Sequence, residues 1–246
     1  RLLVRIEPVR RGAFMQVGHA NITSVLQLED AQLAEIRRLL APEPDARHLW
    51  INLGLESANG RLVAANGPGK IAPFDPADWE AMARDAADRL RRAGFFPLFS
   101  VILGLPGETP DDIDRTHRLV RRLGEGPAAV FPVFHEPVRP DRDGPGFGLP
   151  AMTRGHLDLY AACYEMDFRW IPRVYWDNQR AGGAPWLRRA MTQMLGRVEI
   201  RMWRRRFRRL RRSLDATDTP HLAGEFTRRA PCACTAPHDA PGKPGG

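Results

Sequence analysis

Cysteine is scarce: three in 246 residues, too few for a disulfide scaffold. Two of them, Cys232 and Cys234, stand in a Pro- and Gly-rich tail. A reducing, cytoplasmic setting is the expectation. Long apolar runs are also lacking. The longest, Phe95 to Leu105, is broken by Pro97 and Ser100 and is far shorter than the roughly 20 residues of a spanning helix, so no transmembrane segment is expected. The chain opens Arg1-Leu2-Leu3-Val4, with neither Met nor a basic-then-apolar leader, and a preceding N-terminal part is expected. Acidic residues are missing from one stretch: 188–212 holds eleven Arg against the single acid Glu199. The net charge of +8 therefore belongs to that segment and says little about the rest. What remains is globular, since 43% hydrophobic and 27% charged residues exclude a disordered, collagen-like or fibrous chain.

From residue 13 to about 134, short apolar runs alternate with amphipathic segments, the pattern of βα units on a parallel sheet. Strands are expected at Ala13–Val17, His48–Leu55, Leu98–Leu103 and Ala128–Phe134. Three helices fall between them. In the first, near 29–40, Leu33, Ile36, Leu39 and Leu40 keep helical spacing, and Pro42 and Pro44 stop it. The second, 76–93, has Asp75 to cap it, Pro76 at its first position and Gly94 just past its end. Thr109 caps the third, which begins Pro110-Asp111-Asp112 and ends at Gly124. The turns Glu56-Ser57-Ala58-Asn59-Gly60 and Asn66-Gly67-Pro68-Gly69-Lys70 are read as loops. Four parallel strands do not close a barrel, so the fold class is α/β, either a doubly wound open sheet or an incomplete parallel barrel. Three parts are expected: a partial barrel over 1–140, a helical C-terminal extension over 151–214, and a disordered tail over 215–246.

Ligands of parallel α/β sheets bind at the carboxyl ends of the strands. Polar residues recur there after each strand: His19 with Asn21, Glu56 with Ser57, Glu108 with Thr109, and His135 with Glu136. In the Gly104-Leu105-Pro106-Gly107-Glu108-Thr109 turn, two glycines allow close backbone approach and a helix N-terminus follows. The turn matches neither the Walker A spacing nor the dinucleotide fingerprint.

Taken together, Asn52-Leu53-Gly54-Leu55-Glu56-Ser57, the 66–70 loop, the helix end Arg92-Ala93-Gly94, and Ile102-Leu103-Gly104-Leu105-Pro106-Gly107-Glu108-Thr109 resemble the second half of a radical S-adenosylmethionine enzyme. The similarity spans about residues 13–137 and is to the branch whose members often carry a cobalamin-binding domain. The resemblance implies a (β/α) barrel, S-adenosylmethionine and a [4Fe-4S] cluster as cofactors in the intact protein, and cobalamin as a further option. The implied activity is reductive cleavage of S-adenosylmethionine, leading to methyl transfer or another radical modification. It places Glu56 and Ser57 against the ribose or amino acid part of S-adenosylmethionine, with Ile102, Gly104, Pro106, Gly107 and Glu108 lining its adenosine. His19, Asn21, His135 and Glu136 would face the substrate.

The family's cluster loop, Cys-x3-Cys-x2-Cys, has no counterpart in these residues. Cys163 is solitary and Cys232-Ala233-Cys234 has the wrong spacing, so no metal ligands are assigned and this chain alone is expected to bind no cluster. Truncation of a longer enzyme is the simplest expectation, and a parallel edge without its partners is then an aggregation liability. The alternative is a non-catalytic α/β protein that binds a nucleotide-like ligand, a partner or RNA. Over 197–214, Trp203, Phe207, Leu210 and Leu214 share one helical face with Arg filling the rest. That helix either docks on the barrel or meets RNA, an acidic partner or an anionic surface.

Overall fold

A computed structural model of the chain describes residues 4, 15–41, 48–138 and 146–216. Four parallel strands form one sheet in the order β1 (His19–Ala20), β2 (Leu49–Glu56), β3 (Phe95–Leu103) and β4 (Ala129–Phe134). Spatial order follows chain order without a reversal. A doubly wound sheet needs such a reversal, so the sheet is the arc of an incomplete barrel, followed by a helical C-terminal region.

The connecting helices are α1 (Ile22–Leu26) and α2 (Asp30–Leu40) after β1, α3 (Gly60–Asn66) and α4 (Trp79–Arg92) after β2, and α5 (Pro110–Leu123) after β3. All lie on one face of the sheet. Their buried side chains, among them Ile22, Leu33, Trp79, Leu90 and Leu119, share one core with Leu53, Leu55, Phe99, Val101 and Leu103 of the strands. The opposite face carries Trp50, Asn52, Gly54 and Glu56 of β2 and Leu98, Ser100 and Ile102 of β3, each partly or well exposed. Side chains alternate along a strand, and the register Asn52↔Leu98 and Gly54↔Ser100 keeps these rows in step as far as Gly54, after which a bulge sets Glu56 opposite Val101.

Several sequence expectations shift. The strand assigned to 13–17 lies elsewhere: residues 15–18 are irregular and the pairing is made by His19 and Ala20, while Ala13 and Phe14 fall outside the described residues. Main-chain bonds explain the change, because Met15 N–H is drawn to Leu40 O and only Gly18 O reaches Asn52 N–H. Two short helices stand where the sequence reading places no element. In α3, Asn59 accepts from the N–H groups of Arg61 and Leu62, so Asn59 caps a helix rather than closing a loop. In α1, Ile22 and Val25 are buried one turn apart. The Pro76 helix starts as a single 3-10 turn capped by Asp75 before becoming α4, and Thr109 caps α5 as expected, with Asp112 completing a capping box. Pro42, Pro44 and residues 217–246 lie outside the described residues.

The C-terminal region is two long helices, α6 (Arg154–Ala181) and α7 (Trp186–Ala216), parted at Gly182-Gly183, where Gly183 has φ of 74°. Helix α6 covers the outer edge of β4. Its Leu159, Cys163 and Met166 join the main core, while Val174 packs on Phe96 and Ala129. Asp167 accepts a 2.9 Å hydrogen bond from Val130 N–H, meeting an edge donor that no strand can reach. Helix α7 docks through Phe207 and Leu210, with Trp203 beside them, on Met152, Leu157 and Ala161; the Leu214 side chain lies outside the described residues. Among the described residues no helix is long and apolar enough to cross a membrane.

Burial pushes the Asp167 carboxyl up to about 7, against a partial offset from the Val130 hydrogen bond. The neutral acid is therefore the form the fold favours. Stability from this group is full below the ordinary carboxylate range and is lost as pH rises from about 4 to about 7, by on the order of 4 kcal/mol. Asp167→Asn keeps the acceptor and removes the titration. Urea midpoints measured across that window fall with rising pH in the parent and lose most of that slope in the variant; an unchanged slope contradicts the assignment.

Candidate functional site

The turn after β2 is held from three sides. Trp79 Nε1 donates to Leu55 O at 3.2 Å and to Ser57 O at 3.0 Å. Thr116 of α5 accepts from Ala58 N–H at 3.0 Å and lies 3.3 Å from Ser57 Oγ. Asn59 Nδ2 donates to Asp112 Oδ1 at 2.6 Å. Burial works to raise Asp112, but hydrogen bonds from Thr109 and Asn59 outweigh it and hold the carboxyl below its ordinary value. An ionised Asp112 thus joins the cap of α5 to the turn.

Locked in this way, the backbone at Glu56 takes φ of 60°, a left-handed conformation that costs a non-glycine residue about 1–2 kcal/mol. The side chain is thrown over the open face of the sheet, where its carboxylate pairs with Lys70 Nζ. Gly54 makes the space: a Cβ there would overlap both the Glu56 carboxylate and the Lys70 ammonium. Asn21 Nδ2 donates to Lys70 O at 3.2 Å, while Asn21 Oδ1 is buried with no hydrogen-bond partner among the described residues. Around this pair lies a cleft of about 860 Å³ lined by residues including His19, Asn21, Asn52, Gly54, Glu56, Lys70 and Ser100. It combines an anion, a cation, an imidazole, two amides and the hydroxyls of Ser24 and Ser100 above a floor of sheet backbone.

The expected site residues divide between two places. His19, Asn21 and Glu56 come together in the cleft, and Ile102 shares the open sheet face with Glu56. Ser57 is 1% exposed, with its hydroxyl turned toward Thr116. The Gly104–Glu108 turn builds a second cluster. Glu108 Oε2 accepts from Gly104 N–H at 2.8 Å and lies 2.9 Å from His156 Nε2. His156 Nδ1 accepts from Thr153 N–H, which leaves the ring proton on Nε2 for Glu108. Phe147 sits directly on Gly104, its ring centroid 4.8 Å from that of His156. Pro106 and Gly107 are exposed, with Asn66 Nδ2 donating to Pro106 O. His135 and Glu136 follow β4 beside Phe147, whose N–H donates to His135 O, and do not line the cleft.

Strand-end polarity alone does not single out Lys70, Asn52 or Ser100. Two other signals do. Asn52 and Ser100 are polar interruptions at matching parity in otherwise apolar strands, and Lys70 is one of two lysines in a chain that otherwise uses arginine for its cations. Among the described residues no group of three His, Cys, Asp or Glu side chains is placed to hold a metal ion. Cys163, the one cysteine among them, is buried in the core, and burial pushes its thiol well above the ordinary range. The described residues do not fit an iron-sulfur cluster, which needs several thiolates. Comparison with known proteins returns no matching family model and no matching curated protein.

The strained Glu56 backbone gives a direct test. Glu56→Gly relieves the left-handed conformation while Glu56→Ala retains it, and both lose the ion pair. Urea denaturation places the glycine variant about 1 kcal/mol above the alanine variant in stability; equal stabilities, or a less stable glycine variant, contradict the strained turn.

Proposed function

We propose that this chain forms the back portion of a radical S-adenosylmethionine enzyme and that the cleft over β2 and β3 receives S-adenosylmethionine. The observation that carries the reading is Glu56, held at positive φ at the carboxyl end of β2 with its carboxylate over the open sheet face. A carboxylate so placed accepts both hydroxyls of a ribose. Asn21 Oδ1 offers an acceptor that no described residue uses, and Lys70 offers a cation to a ligand carboxylate. The floor at Gly54 and Ser100, with Ile102 next along the same sheet face, is assigned to the adenine ring, since flat rings rest on side-chain-poor sheet surface. Glu108 and His156 act as positioning residues. They hold the Gly104 turn and the Phe147 ring at the rim without entering the cleft.

The thiolates of the [4Fe-4S] cluster are assigned to sequence other than these 246 residues, so reductive cleavage, and any use of cobalamin, belongs to a larger enzyme. A cytoplasmic setting agrees with an oxygen-sensitive cluster. The second reading, a non-catalytic protein that binds a nucleoside-like ligand in the same cleft, is favoured by the missing Cys-x3-Cys-x2-Cys loop. The two readings differ in what they bind.

Titration calorimetry of the purified chain with S-adenosylmethionine and, separately, with adenosine distinguishes them. Binding of S-adenosylmethionine in preference to adenosine is expected, and Glu56→Gln weakens it by about tenfold, the loss of a charge-assisted hydrogen bond. Equal binding of adenosine supports the second reading. Absence of binding, or a Glu56→Gln variant that binds like the parent, removes the first.

A further inference from the structure

Helix α7 has two apolar faces, and only one is used. Phe207 and Leu210 are buried against α6 and the 3-10 turn before it. On the opposite side, Leu187, Met191, Met194, Leu195, Val198 and Met202 are each between 49% and 63% exposed, and Trp186 beside them is 71% exposed. The row follows the helix for about 22 Å at 1.5 Å per residue. No described residue covers it. Single exposed apolar side chains are ordinary, but a continuous row on one helix face marks a contact surface.

The same face changes chemistry farther along. Leu187 and Arg205, Met191 and Arg209, and Met194 and Arg212 are each separated by eighteen residues, about five turns at 3.6 residues per turn, and so point the same way. Arg201, Arg205, Arg208, Arg209 and Arg212 are all exposed, and no acidic residue occurs between 200 and 214. The solvent face of α7 is thus apolar in its first half and cationic in its second.

We propose that this face is a docking surface for an anionic lipid bilayer, with the Leu187–Met202 row entering the headgroup and acyl boundary and the arginines seated on lipid phosphates. A bilayer satisfies both halves at once. RNA supplies phosphates but has no use for a row of Leu, Met and Val, and a second copy pairing through this same arginine segment brings no acid from 200–214 to the five arginines. An interfacial helix of this kind has a large apolar face, Lys or Arg on the polar side and an aromatic at its edge, and Trp186 fills the last role. Arginine stems lie along the interface while their heads stay at the phosphates. The helix lies on the membrane and does not cross it.

Sedimentation of the full chain with vesicles of phosphatidylcholine, alone or mixed with phosphatidylglycerol, tests this. The anionic vesicles bind at least about tenfold more tightly, and salt weakens that preference. Met191→Ser with Leu195→Ser lowers binding by at least about tenfold, and Arg205→Ser with Arg209→Ser lowers it by about twenty-fivefold, roughly fivefold for each arginine. These positions face solvent, and circular dichroism verifies that helix content is retained. Equal binding to both vesicle types, or none, overturns the proposal. It is equally overturned by a dimer that the Met191/Leu195 variant dissociates, or by a tRNA mobility shift, if either occurs without vesicle binding.

Discussion

A parallel sheet whose strands succeed one another in chain order can carry right-handed crossovers on one face only. In this chain that constraint decides where polar side chains can stand. Helices α1 to α5 share a single core with the inward rows of β2, β3 and β4, so the other row of each strand has no crossover helix over it, and only its Phe96–Leu98–Ala129 end is met by α6. A full barrel would turn that row into its lumen. Here it is the open face on which Glu56, Lys70 and Asn52 stand, with Asn21 and His19 at its rim. Polar residues in the middle of apolar strands have a physical home only because of it.

The second dependence is the coupling of successive βα units. The turn 56–59 after β2 is tied to α4 through Trp79 and to α5 through Asp112 and Thr116. Four such bonds at about 1 kcal/mol each are enough to hold one residue in a left-handed conformation. The strain at Glu56 is thus maintained by elements on both sides, and the carboxylate is presented in one direction. At the next strand end the same logic recurs with different parts. There Glu108 bonds Gly104 N–H and His156 of α6, so the C-terminal region anchors the Gly104 turn.

Periodicity and caps made much of this fold legible. The strands at 49–56, 95–103 and 129–134, and the helices started by Asp75 and Thr109, arise from apolar runs bounded by Asp, Thr, Pro and Gly. Short elements were not legible. His19–Ala20 is too brief to show alternation, and Asn59-Gly60 carries the same letters whether it turns a loop or caps a helix. The site was half legible: strand-end polarity pointed to His19, Asn21 and Glu56, but parity across two strands was needed to add Asn52 and Ser100. Ser57 shows the limit of reading neighbours alike. One residue from Glu56, it faces the opposite way, as successive side chains of an extended strand do, with its hydroxyl toward Thr116. Likewise Phe147, which lies on Gly104, is brought there by a return of the chain after β4 that no local pattern encodes.

Hydrogen-deuterium exchange of the purified chain, with and without S-adenosylmethionine, tests most directly whether the open strand-end cleft is the ligand site. Slowed exchange is expected in 19–21, 52–58 and 98–102, with α7 unchanged. Protection confined to α6 and α7, or no protection anywhere at saturating ligand, would contradict a ligand site in the cleft.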